Sequence, residues 1–239
     1  MTTDGSLQKP HAQTLMIDAD DTLWENNIYF ERAIDRFVEL VAHPELSPAE
    51  VRAAFDELEA TRIKVHGYGT EAFHKSLHAC FEHLTGCTCT TEQTEALAAC
   101  AASIRAADLT LLDGVHEALP ELASRHTLIL VTKGDHAEQT AKLAQSGLAQ
   151  HFAHVRVLRE KHTTAYLDLR AEFECDPATT WMIGNSPKSD INPALAAGMH
   201  AVYLPHRSTW VHEQEDVCSV PEGQRLLQLR SFRALTEHF

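Results

Sequence analysis

The sequence predicts an α/β protein: a doubly wound parallel sheet with a helical segment inserted after its first strand. Three observations predict it. Five short apolar runs, at 15–17, 127–131, 155–158, 180–183 and 201–204, have the β-branched content and punctuation of strands covered on both faces. Helical patterns separate the last four runs, and strands alternating with helices build a doubly wound sheet. More than a hundred residues lie between the first run and the second, and their apolar spacing is almost wholly helical.

The polar start, MTTDGSLQKPHAQ, reads as a short loose tail and contains no signal-peptide apolar stretch. After the first strand, Ile28, Ala33, Ile34, Phe37, Val38 and Val41 share one helical face. Ser47-Pro48-Ala49-Glu50 is a capping box with proline at the first helical position. It opens a second helix through Val51, Phe55 and Leu58. Thr70 is placed to cap a third helix carrying Phe73, Leu77, Phe81 and Leu84. Thr90-Thr91-Glu92-Gln93 is a second capping box, ahead of Leu97 and Ile104.

These four helices make an insert spanning 25–108, between core segments 1–24 and 109–239. A helix at 115–124 returns the chain to the sheet, and Pro120 inside it predicts a kink or a later start. Helices follow at 135–146, 163–173 and 190–197, the first and last stopped by Gly147 and Gly198. Beyond Pro205, residues 206–220 are loop-like, and 225–239 fit a strand, a helix or both.

The 239 residues, 44% hydrophobic and 23% charged, suit a globular core with a smaller insert. No apolar run approaches the roughly 20 residues that cross a bilayer, so a cytoplasmic location is expected. A net charge of −14 argues against a nucleic-acid backbone or an anionic membrane as partner. The same field repels phosphate, so a phosphate site here needs a local cation. Of six cysteines only Cys87 and Cys89 are close. A single C-x-C lacks the second pair of a structural zinc site, so reduced thiols are expected. His74 and His78 share a helical face with no third ligand nearby in sequence, and read as a solvated or packed pair.

In an open parallel sheet, ligands bind beyond the carboxyl ends of the strands. Four such ends carry reactive residues here. The first strand runs into Asp18-Ala19-Asp20-Asp21-Thr22, and the second ends in Thr132-Lys133-Gly134. Lys161 follows the third, and Gly184-Asn185-Ser186-Pro187-Lys188-Ser189-Asp190 follows the fourth. Any one of these aspartates alone is equally a turn or cap residue.

The segments MIDADDTLW (16–24), LILVTKGD (128–135), VRVLREK (155–161) and MIGNSPKSDINPALAAGM (182–199) together resemble the haloacid dehalogenase (HAD) superfamily, in its branch with a helical cap after the first motif. The resemblance covers essentially the whole core. It implies a HAD-like Rossmannoid sheet with an inserted α-helical cap domain. It also implies a Mg2+-dependent phosphatase acting on a small phosphorylated metabolite. Asp18 would be the nucleophile that forms an aspartyl-phosphate, and Asp20 the general acid and base. Thr132 and Lys161 would bind the phosphoryl group, with Lys133 a competitor for the cationic role. Asp18, the main-chain carbonyl of Asp20 and Asp190 would hold Mg2+, a hard cation that takes oxygen ligands.

Asn185 departs from the pattern, since many relatives carry an acid there. It is either a further metal ligand or a turn residue. Dehalogenases of the superfamily generally lack the aspartate two residues past the nucleophile, so Asp20 favours phosphoryl chemistry. A phosphomutase, or a phosphate-binding regulatory protein without turnover, remains the alternative. The segment His66-Gly67-Tyr68-Gly69-Thr70 is either a turn between cap helices or a loop that closes on the site. Trp24, Asn26 and Asn27 either line the cleft or, for Trp24, pack.

Overall fold

A computed structural model describes residues 12–239. The tail expected at the start of the chain falls almost wholly outside these residues. Six strands form one parallel sheet: β1 (Thr14–Ile17), β2 (Thr127–Lys133), β3 (His154–Leu158), β4 (Thr180–Gly184), β5 (His200–Tyr203) and β6 (Leu226–Gln228). Their order is β3-β2-β1-β4-β5-β6. The chain therefore winds one way from β1 through β3, crosses back, and winds the other way from β4. The point of reversal lies between β1 and β4, where an open sheet leaves a crevice at the carboxyl ends of its strands. Ile17 is level with Leu130 on one side and Ile183 on the other. The residues that follow these three strands are consequently neighbours in space.

Both faces of the sheet are covered. On one, Leu15, Ile17, Leu128, Leu130, Trp181 and Ile183 pack against α5 (Val115–Ala123), α6 (His136–Ser146) and the C-terminal residues Phe232, Leu235 and Phe239. On the other, Met16, Ile129, Val131 and Met182 meet α7 (Thr163–Glu172), through Tyr166 and Leu169, and α8 (Asn192–Ala196). Alternate residues of each strand thus go to opposite layers, which explains continuous apolar runs in place of an alternating pattern.

Between β1 and α5 the chain forms α1 (Asn27–Val41), α2 (Pro48–His66), α3 (Thr70–Thr85) and α4 (Thr91–Arg105). These helices share an apolar cluster of their own, separate from those of the sheet. Phe55 is at its centre, with its ring 5.5 Å from Phe37 and 5.6 Å from Phe73. Truncating such a side chain to alanine costs about 3–5 kcal/mol. Both predicted capping boxes are present, at Ser47–Glu50 and Thr90–Gln93.

Some local expectations change. Gly69, not Thr70, is the N-cap of α3. The Thr70 main-chain N–H donates to Glu138 Oε1 at 3.0 Å, so Thr70 joins α3 to α6 instead of capping its own helix. Helix α5 starts where expected and continues through Pro120. The helix expected at 190–197 is a π-type turn over Pro187–Ile191 running into α8. The Ile191 N–H reaches back to Ser186 O at 3.1 Å, and such wide turns favour functional sites. A sixth strand appears as β6, too short to leave a periodic signal. The segment after it turns through Phe232–Glu237 and buries Phe232 and Leu235. His78 stands with Glu82 and Cys89, so its third neighbour comes from the loop beyond α3. No helix among the described residues is long and apolar enough to cross a membrane.

Candidate active site

Asp18 follows β1 directly, with its N–H bonded to Ile183 O at 2.9 Å, so the sheet ladder itself aims the residue into the crevice. Its carboxylate pairs with the Lys161 ammonium, and Lys161 also reaches Asp190 Oδ1 at 2.8 Å. Thr22 donates to Asp18 Oδ2 at 3.0 Å and lies 3.3 Å from Asn185 Oδ1. Asp190 Oδ2 accepts from the Ser186 N–H at 2.9 Å. Gly184 makes this placement possible, because any side chain there would collide with the Asp190 carboxylate. Asp18, Thr132, Lys161, Asn185 and Asp190 thus line one cavity of about 140 Å3, together with Asp20.

The electrostatics follow from one cation shared by two buried anions. Burial pushes the Asp18 carboxyl up to about 7, against the pull of Lys161 and with the push of Asp190. Burial also disfavours the Lys161 ammonium, but two carboxylates outweigh it and its pKa rises. The two shifts have different causes, burial at Asp18 and the two carboxylates at Lys161. The lysine gains from two partners, whereas each carboxylate is only half compensated. Lys161 therefore holds Asp18 in place without fully securing its ionised form.

Thr132 is 1% exposed and its hydroxyl has no hydrogen-bond partner. An orphaned buried hydroxyl facing a cavity is what a site for an incoming oxyanion requires.

Asp20 sits differently from Asp18. Lys142 Nζ contacts its two oxygens at 2.8 and 3.0 Å, Gln139 Nε2 donates at 2.7 Å and Trp24 Nε1 at 2.7 Å. Burial opposes ionisation of Asp20, but Lys142 and these donors prevail, and its pKa lies below the usual carboxylate value. Trp24 is fully buried, so it packs and also anchors Asp20.

The donors expected for a cation fit a hard divalent ion. Asp18, Asp190 and the Asn185 amide offer oxygen only, and two buried carboxylates against one lysine leave a surplus negative charge. The Asp20 side chain is taken by Lys142, so only its main-chain carbonyl would be left to join that set. Among the described residues, groups of three ligating side chains within mutual reach occur elsewhere, at Asp21–Glu25–His206 and His78–Glu82–Cys89.

Several residues of the site left no readable trace in the sequence. Lys142 and Gln139 come from α6, where a lysine and a glutamine look like ordinary helix surface. Asp21 accepts from the Asn26 and Asn27 N–H groups at 2.8 and 3.1 Å and so caps α1 from outside the helix. Its φ of 60° is the left-handed geometry that an aspartate tolerates in a turn. Burial pushes its carboxyl up to about 7. Lys133 pairs with Glu213 and Ser189, which removes it from competition with Lys161. Glu213 lies in the segment that had read as polar loop, and Ser186 donates to it at 2.6 Å. Tyr68 and Gly69 line the cavity, and Tyr68 donates to Glu160 at 2.8 Å. The 66–70 segment is therefore both a turn between helices and part of the cavity wall.

The family model of the haloacid dehalogenase-like hydrolases matches residues 12–198. No curated protein matches the sequence. Among solved structures, a haloacid dehalogenase-like family hydrolase from Xanthomonas campestris is 24% identical, with a TM-score of 0.80 over 95% of this chain and 94% of that one. A predicted phosphoglycolate phosphatase from Haemophilus somnus is 16% identical, with a TM-score of 0.61 over 95% and 97%. L-2-haloacid dehalogenase from Xanthobacter autotrophicus is 15% identical, with a TM-score of 0.62 over 95% and 97%. These likenesses establish a common fold. With the family match over most of its length, the chain belongs to the haloacid dehalogenase-like hydrolases.

Proposed function

We propose that the protein is a phosphatase that hydrolyses a small phosphomonoester through an aspartyl-phosphate on Asp18. The observation that carries this reading is Asp20, a second carboxylate on the nucleophile loop whose side chain lines the same cavity. In the first step an Asp18 carboxylate oxygen attacks phosphorus and the ester P–O bond breaks. Asp20 gives its proton to the departing oxygen. In the second step Asp20 takes a proton from water, the water oxygen attacks phosphorus, and the bond to Asp18 breaks. Inorganic phosphate leaves and Asp18 is restored.

Thr132 is placed to donate to a phosphoryl oxygen, and Lys161 to balance charge at Asp18 and phosphate. Mg2+, held by Asp18, Asp190, the Asp20 carbonyl and Asn185, would neutralise the charge of an anion attacking an anion. Helices α1–α4 serve as a cap over the cavity, with Phe30, Ile34 and Phe73 forming its apolar side.

The Lys142 grip on Asp20 supports a second reading. A general acid must carry a proton, and this contact favours the ionised form. Displacement of halide from a 2-haloacid by Asp18 needs no acid. Purified protein should therefore be assayed with an aryl phosphate and, in parallel, with 2-chloropropionate. Phosphate release that requires Mg2+ and is lost in Asp18→Asn supports the phosphatase. Halide release without phosphate release would replace it with the dehalogenase, and neither would leave a phosphate-binding protein. Transfer of the phosphoryl group to a sugar instead of water would mark a mutase.

A further inference from the structure

The charges that line the cavity differ in how fully they are compensated. The cavity presents three lysines, and each is committed. Lys161 holds Asp18 and Asp190, Lys142 holds Asp20, and Lys133 holds Glu213. Glu138 accepts from Thr70, and Asp135 caps α6. Glu59 of α2 is the exception. It is 6% exposed, lines the cavity, and its Oε2 has no hydrogen-bond partner.

Burial pushes the Glu59 carboxyl up to about 8, and the Trp210 side chain, which bonds it, compensates only in part. The nearest basic atom, His212 Nε2, is 4.0 Å away, beyond hydrogen-bond reach, and is itself without a partner. Burial holds that imidazole below its usual pKa, which disfavours its charged form. Arg52 is occupied by Glu31 at 2.6 Å and Asp56 at 2.9 Å. Two aromatic rings, Tyr68 and Trp210, also line this part of the cavity, edge to face at 6.0 Å between centroids. A buried carboxyl with one unpartnered oxygen beside aromatic rings is a place that takes an ammonium group, whose charge would favour the ionised carboxylate.

We infer that Glu59, with Tyr68 and Trp210, forms a subsite for an ammonium group on the part of the substrate that leaves with the ester oxygen. The substrate class is a phosphomonoester of an amino alcohol, with its carbon chain against Phe30, Ile34 and Phe73. A carboxylate-bearing ester meets no free cation here and the Glu59 carboxyl instead, so it is disfavoured. This inference rests on the phosphatase reading and narrows it.

The test compares aminoalkyl phosphates of increasing chain length with the matching hydroxyalkyl and carboxyalkyl phosphates. In the wild type, kcat/KM for the best aminoalkyl ester exceeds that of its carboxyalkyl counterpart at least tenfold, with the hydroxyalkyl ester between. In Glu59→Gln, which keeps shape and removes charge, the ratio collapses toward one. Thermal melting and circular dichroism of the variant check that it folds. An equal or better carboxyalkyl ester, a hydroxyalkyl ester equal to the aminoalkyl one, or a ratio that survives Glu59→Gln would overturn the subsite.

Calorimetric binding of the same three series to Asp18→Asn reads the subsite without turnover. An ammonium preference in binding that needs Glu59, with no phosphate release by the wild type, would retain the subsite and remove the phosphatase. Phosphate release with no such preference would do the reverse.

Discussion

Lys161 and Asp190 form an ion pair 2.8 Å long in which both side chains are almost completely buried, at 2% and 1% exposure. The same ammonium pairs with Asp18. One positive charge therefore supports two carboxylates that come from the ends of two different strands. Removing it leaves both carboxyls buried without a cation. Lys161→Met is expected to lose about 3–5 kcal/mol of stability, as for other broken buried pairs. Urea unfolding measures this, and a loss near zero would mean that the two carboxyls are neutralised in another way.

The Asp18 carboxyl gives a pH signature. Its folded value, about 7, lies above the ordinary 3.8. Below 3.8 the group is protonated in both folded and unfolded states, and it costs nothing. As pH rises toward 7 the unfolded chain ionises while the folded one resists, so stability is lost at up to about 1.4 kcal/mol per pH unit. Relative to Asp18→Asn, the wild type should therefore become less stable between pH 4 and 7 and level off above. Mg2+ should reduce the slope, because a bound cation favours the ionised form. Thermal melts of both proteins across that range, with and without Mg2+, test the sign.

Lys142→Met should raise the Asp20 pKa by removing its principal cation. A carboxyl with a higher pKa stays protonated to higher pH, so the limb of the pH–rate profile that reports the acid should move to more alkaline pH. If Asp20 is the proton donor in phosphoester cleavage, kcat at neutral pH should change by about tenfold, within the range such catalysis contributes. An unmoved profile would detach Asp20 from proton transfer.

Thr132→Val removes a buried hydroxyl that has no partner in the protein and keeps its shape. Stability should hold or improve by about 1 kcal/mol, since an unsatisfied polar group is lost. Binding of inorganic phosphate, or of a phosphoester to Asp18→Asn, should weaken by about tenfold. A large loss of stability without a change in binding would make Thr132 a structural residue.

The Asp18–Thr22 loop, Thr132, Lys161 and Asp190 were legible because each follows an apolar run, and strand ends at a chain reversal converge. Both capping boxes were legible because a cap is made by residues three apart. Thr70 was misplaced for a related reason. Its sequence position suits a cap, but Glu138, from α6, takes its N–H. The grip of Lys142 on Asp20 joins residues 122 positions apart, and no periodicity signals such a contact.

The sequence by itself determined five of the six strands and their order along the chain, the helical insert, and the reactive residues at the strand ends. These follow from apolar spacing and local hydrogen-bonding chemistry, which act within a few residues. Only the tertiary structure decided which of those charges are spent and which remain. Lys133 is paired with Glu213, Asp20 is held by Lys142, one lysine serves both Asp18 and Asp190, and Glu59 lines the cavity with one oxygen unpartnered. Coulombic pairing and desolvation depend on distance and burial across segments remote in sequence, so the charge state of the site is set by packing.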